Sequence, residues 1–100
     1  MSTISYNKLD KLLQNSSHTY LIDVRSPIEF ATGHLPNSIN FPVDEFSQFT
    51  FPKHHSYIFI CNTGRRAKKA YKYLAKKGYF NIFHIADKLC NWTGKLEYDF

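Results

Sequence analysis

Residues 57–78 read YIFI, CNTGRR and AKKAYKYLAKKG, and the rest of the chain has to be arranged around them. Tyr57, Ile58, Phe59 and Ile60 are consecutive apolar residues of β-branched and aromatic type, which predicts a short buried strand. The run stops at Cys61. Beyond Arg66 the apolar residues fall at Ala67, Ala70, Tyr71, Leu74 and Ala75, the stripe of an amphipathic helix. Lys68, Lys69, Lys72, Lys76 and Lys77 fill the other face, and Gly78 supplies a C′ stop. A cysteine, a glycine and two arginines thus share a six-residue turn from a strand into a helix.

That placement has chemical consequences. Open parallel sheets carry their sites at the carboxyl ends of strands. A helix start points unpaired N–H groups and a partial positive charge into the preceding turn. Successive N–H groups in such a turn can form an anion-binding nest. The thiolate, the reactive form of cysteine, is favoured there, and Arg65 and Arg66 add to the effect. Cys61 is therefore a candidate nucleophile. The competing reading makes it a small buried apolar residue, for which two adjacent arginines would not be needed.

The flanking segments alternate between strand and helix patterns. Residues 2–5 suit a short strand or an extended lead-in. A helix is expected from about Tyr6 to Gln14, with Leu9, Leu12 and Leu13 on one face, ended by Asn15-Ser16-Ser17. Tyr20 to Val24 reads as a strand, with Asp23 near its carboxyl end. Ser26-Pro27-Ile28-Glu29 is a helix start with a cap, a first-turn proline and a glutamate three residues past the cap; Gly33 closes that helix. Ile39 to Phe41 is a short strand. A second short helix around Asp44 to Gln48 would bury Val43, Phe46 and Phe49. Asn81 to Ile85 is a further strand, followed by one or two helical turns at Asp87 to Trp92 and a polar tail. The alternation predicts a three-layer α/β domain with a mostly parallel sheet.

Totals narrow the function classes. One hundred residues make one domain. Aromatics at 17% suffice to fill its core. No stretch reaches membrane-spanning length and the N-terminus lacks a signal-peptide pattern, so a cytoplasmic protein is expected. Two cysteines are too few for a disulfide framework, and no Cys or His pairing suggests zinc. The charge is divided: residues 1–50 sum to −2 and residues 51–100 to +7. The lysines of residues 68–77 either keep a helix soluble or draw anions toward Cys61. No nucleic-acid motif accompanies them.

Several of these signals stand in one order. Leu21-Ile22-Asp23-Val24-Arg25 is followed by Pro27-Ile28-Glu29-Phe30, Gly33-His34-Leu35-Pro36-Asn37-Ser38, Ile39-Asn40-Phe41-Pro42, the Cys61–Arg66 loop, and Trp92. The chain resembles a single-domain rhodanese over nearly its whole length. The resemblance implies a five-stranded, mostly parallel sheet flanked by helices, as one rhodanese-like domain over residues 1–100. It implies sulfur transfer: Cys61 takes a sulfur atom from a donor such as thiosulfate or polysulfide, and a thiol or cyanide then removes it. Asn62, Thr63 and Gly64 would hold the persulfide, and Arg65 and Arg66 the anionic donor. Asp23 and Arg25 are the supporting residues: Asp23 would either orient the Cys61 loop or serve as a buried hydrogen-bonding group, and Arg25 could pair with Glu29 across the start of the short helix. His34 would position the loop after the helix.

The expected partners are a small anionic sulfur donor and a thiol or protein acceptor, with no cofactor, metal, nucleic acid or membrane. Four residues separate Cys61 from Arg66, whereas related phosphatases and arsenate reductases place five there; the smaller cradle suits sulfur. A delivery or binding module using the lysine face is the alternative function, and a phosphatase-like hydrolase a more distant one. One departure stands out: Asp87-Lys88 occupies the place of the family's usual Gly-Gly pair. Cys90, beside Leu89 and Trp92, is expected to be a buried, inert thiol.

Overall fold

The computed structural model describes residues 3–14 and 18–99. Five strands form one sheet: β1 (Thr3–Ile4), β2 (Thr19–Asp23), β3 (Ile39–Asn40), β4 (Ser56–Ile60) and β5 (Ile82–Ile85). Their spatial order is β1-β5-β4-β2-β3, and every pairing is parallel. Three α-helices connect them: α1 (Tyr6–Gln14), α2 (Pro27–Ala31) and α3 (Arg65–Lys76). The expected end of α1 at Asn15-Ser16-Ser17 lies outside the described residues.

Central strand β4 explains the layering. Side chains alternate across a strand, so Tyr57 and Phe59 pack on one face with Ala67, Ala70 and Leu74 of α3. Ile58 and Ile60 pack on the other face with Tyr6 and Leu9 of α1. Each of these four strand residues is at most 1% exposed, so β4 is the continuous apolar run of a strand covered on both sides.

The expected short helix after Pro42 is a 3₁₀ segment, Val43–Gln48. Phe46 and Phe49, three residues apart on one side of it, are buried, while Val43 is only partly so. A second 3₁₀ turn covers Leu89–Asn91. Leu89 and Trp92 turn inward onto the α1 side of the core. Residues three apart eclipse in this geometry, which leaves Cys90 facing out. Cys90 is exposed, contrary to the expectation of a buried thiol. The tail is ordered by an antiparallel bridge between Glu97 and His34, at 2.9 and 2.8 Å, and by the Asp99 N–H donating to Ala31 O. Among the described residues, no helix is long and apolar enough to cross a membrane.

Candidate active site

Parallel pairing sets Asp23 opposite Ile60, so the carboxyl ends of β2 and β4 meet at one edge. Cys61 follows immediately, 1% exposed. Its Sγ accepts hydrogen bonds from the Gly64 N–H at 3.0 Å and the Ala67 N–H at 3.3 Å. Helix α3 begins at Arg65, so the Ala67 amide is one of the first-turn donors without an intrahelical acceptor. Gly64 makes the turn possible. Its φ is +88°, and a Cβ there would stand 3.0 Å from Ala86 O. The sulfur thus sits in a cradle of backbone donors, as a stabilised sulfur anion requires.

Asn62 ties this loop to its surroundings. Its Nδ2 donates to Glu29 Oε2 at 2.9 Å, its carbonyl accepts from the Leu89 N–H at 2.9 Å, and its Oδ1 lies 3.4 Å from Arg25 Nη1. Thr63 is exposed at the tip. Arg25 is buried and turned back onto Asp23, whose two carboxylate oxygens it engages at 2.8–3.1 Å. The Arg25 Nη2 also donates to Gly33 O at 2.7 Å. Asn40 Nδ2 donates to the carbonyls of Asp23 and Arg25, which fastens β3 to this corner.

The expected Arg25–Glu29 pair does not form. Glu29 completes the capping box of α2, accepting from the Ser26 N–H at 3.0 Å. Its carboxylate then meets Arg66 through two bonds, of 2.6 and 2.9 Å. The Arg66 fork, with Ser26 assisting, holds the Glu29 carboxyl well down, at about 2. Arg66, expected on the donor, is thereby engaged within the protein. Arg65 is exposed and has no acidic partner among the described residues.

Two neighbours were not anticipated. Asp87 Oδ2 accepts from the Tyr6 N–H at 3.3 Å, so Asp87 serves the start of α1. The Tyr6 ring packs on Trp92 at 5.5 Å. The Trp92 indole N–H donates to Lys95 O at 3.1 Å. His34 does hold the end of α2: its Nδ1 lies 2.7 Å from Phe30 O, and its ring stacks on Phe30 at 3.6 Å.

Residues 5–95 match the family described as Rhodanese-like domain. The chain is 24% identical over 95 aligned positions to a sulfurtransferase of Allochromatium vinosum, covering 93% of this chain and 89% of that protein. It is 30% identical over 107 aligned positions to the adenylyltransferase and sulfurtransferase uba4 of Ogataea parapolymorpha. That match takes in 97% of this chain and spans 28% of the longer protein. Among solved structures, a rhodanese-like domain protein from Staphylococcus aureus is similar with a TM-score of 0.84 and 28% identity, covering 98% of each chain.

Proposed function

The chain belongs to the rhodanese-like domain family, and from that premise we propose that it transfers sulfane sulfur through a persulfide on Cys61. The Cys61 thiolate attacks the outer sulfur of a donor of thiosulfate or polysulfide type. A new S–S bond forms, the donor's S–S bond breaks, and the leaving group departs with its electron pair, as sulfite when thiosulfate is the donor. A thiol or cyanide then attacks the outer sulfur and restores the Cys61 thiolate. Covalent catalysis splits one difficult exchange into two easier ones.

The observation that carries this reading is the pair of amides, Gly64 and Ala67, already aimed at Sγ. Donors preorganised around a sulfur anion stabilise it without reorganising during the reaction. The short loop supports sulfur over phosphoryl chemistry, since four residues close a tighter cradle than five.

Intact mass spectrometry tests the proposal. The reduced protein is treated with thiosulfate or polysulfide and then with cyanide, beside Cys61→Ser. The expected result is a gain of one sulfur atom on the wild type, removed by cyanide and absent from the variant. Folded wild-type protein that gains nothing from either donor would sink the persulfide reading.

A further inference from the structure

Strand β4 carries different chemistry at its two ends. Cys61 follows its carboxyl end. The amino end, about 17 Å away at the usual rise per residue, carries three imidazoles in contact. His55 is the middle ring. It stacks on His18 with centroids 4.8 Å apart and planes inclined by only 5°. It meets His54 edge-on at 4.4 Å and leans against the Tyr20 ring at 5.5 Å. His18 leads into β2, so the stack joins β2 and β4 where their ladder begins, with Thr19 opposite Ser56. The bond that opens this ladder is the Ser56 N–H donating to His18 O at 2.9 Å.

The segment that brings in His54 and His55 is fastened unequally. Two buried tyrosines hold its first half, Tyr57 Oη donating to Pro52 O at 2.6 Å and Tyr79 Oη to Phe51 O. Its second half has the turn bond from the His55 N–H to Pro52 O, long at 3.4 Å, and the ring contacts of the histidines. Lys53 turns away from them, its Nζ lying over the Tyr79 ring. His55 also walls a cavity of about 210 Å³ together with Tyr20, Ile39, Phe51, Pro52 and Tyr57. The titratable groups facing His55 are therefore His54 from its own loop, His18 and Tyr20 from the β2 side, and Tyr57 across the cavity. Burial pushes the Tyr57 phenol up to about 12, so it stays neutral. Among the described residues, neither His54 nor His55 has a carboxylate partner.

Neutral imidazoles stack without penalty, whereas two charged ones less than 5 Å apart repel. Burial, and after it His54 and His18, lowers the His55 pKa. The closed arrangement thus binds that proton less readily than one in which the rings are apart. Its stability is complete above the imidazole range and is lost as the pH falls through it. We propose that His18, His55 and His54 form an acid-released latch: neutral, the three rings hold residues 53–55 against the start of β2, and on protonation this corner opens and uncovers the cavity between Tyr20 and Phe51. The opening is local. At the other end of β4 the Val24 N–H donates to Ile60 O at 2.9 Å, with no histidine ring in contact there.

Amide hydrogen exchange, read by nuclear magnetic resonance as protection relative to the intrinsic rate, tests the latch at about pH 7.5 and about pH 5, on either side of the imidazole range. Ser56 reports on the latched end of β4 and Val24 on the other. In the wild type, Ser56 protection is expected to fall about fivefold more than Val24 protection on acidification, the repulsion of one pair of unit charges in contact in water. In His55→Gln the two amides should respond alike. Equal losses at both ends of the wild-type strand would mean general acid unfolding and overturn the latch, as would a selective loss at Ser56 that persists in His55→Gln.

Titration of the imidazole ring signals supplies a second readout, which does not require the loop to open. The His55 midpoint is expected below the ordinary value of about 6.5 and should rise in His18→Gln. A midpoint that His18→Gln leaves unchanged shows that the stacked rings do not sense each other's charge, and the proposal fails. Neither readout depends on sulfur transfer at Cys61.

Discussion

Arg65 and Arg66 are adjacent and chemically identical, yet the fold gives them different tasks. Arg66 is bound through two nitrogens to Glu29, and Glu29 in turn holds Asn62 beside the sulfur. Arg66→Ala should therefore slow sulfur loading from anionic and neutral donors alike, because the loop loses an anchor. Arg65→Ala should slow loading from an anionic donor selectively. Loading rates from thiosulfate and from a neutral organic trisulfide separate the two; a donor-selective Arg66→Ala would return that residue to substrate binding. The same pair makes a pH prediction. The Glu29 carboxyl falls from 4.5 to about 2 on folding, so the folded state binds this proton less readily than the unfolded one. Its contribution to stability is complete above about 4.5 and disappears as the pH falls toward 2. Thermal melts across that window should show wild type and Glu29→Gln converging as the medium becomes more acidic. A gap that stays constant would mean that the pair contributes nothing through its charge.

At the level of elements, the two ends of α3 are compared most directly through their glycines. Gly64 has φ +88° and Gly78 has φ +92°, so an alanine at either costs roughly 1–2 kcal/mol in backbone conformation. Their surroundings differ. A Cβ on Gly78 meets the flexible Lys53 side chain at 3.6 Å, while one on Gly64 meets the Ala86 carbonyl at 3.0 Å. Gly64→Ala should lower the denaturation midpoint more than Gly78→Ala and, unlike it, sharply slow persulfide formation. Equal effects on loading would show that the loop tolerates displacement from Ala86. These elements were legible in sequence for physical reasons. The strand at Tyr57–Ile60 and the helix after Cys61 carry strong periodicity and a glycine stop, and Ser26-Pro27-Glu29 is a local cap that forms as written. Val43–Gln48 is too short for a period to separate 3₁₀ from α geometry. The Glu29–Arg66 pair joins residues in different elements, and nothing in local spacing distinguishes it from the Arg25–Glu29 pair that was expected. The exposure of Cys90 depends on which side of a single 3₁₀ turn meets the core. His84 reads in sequence as one polar residue in an apolar strand, and its contact with Thr3 is visible only once β1 is set beside β5.

Across the whole molecule, charge is arranged along α3, which begins at the reactive loop and carries Lys68, Lys69, Lys72 and Lys76 on its exposed side. How many of these act on an approaching anion depends on screening. The molecule measures 33 × 29 × 22 Å, and the helix is about 18 Å long at the usual rise per residue. At roughly 0.01 M salt the Debye length is about 30 Å, so the entire lysine face contributes to the field at Cys61. At about 0.15 M it is about 8 Å, and only the first turn, with Arg65 and Lys68, remains effective. Lys76→Glu should therefore slow loading by thiosulfate at low salt and match the wild type at the higher salt. Lys68→Glu should slow it under both conditions, since that residue stands beside the loop. Initial loading rates measured across a salt series distinguish steering by the whole face from contact at its end. If Lys76→Glu has no effect even at low salt, the distal lysines serve solubility alone, and the influence of charge on the reaction ends within the first turn of α3.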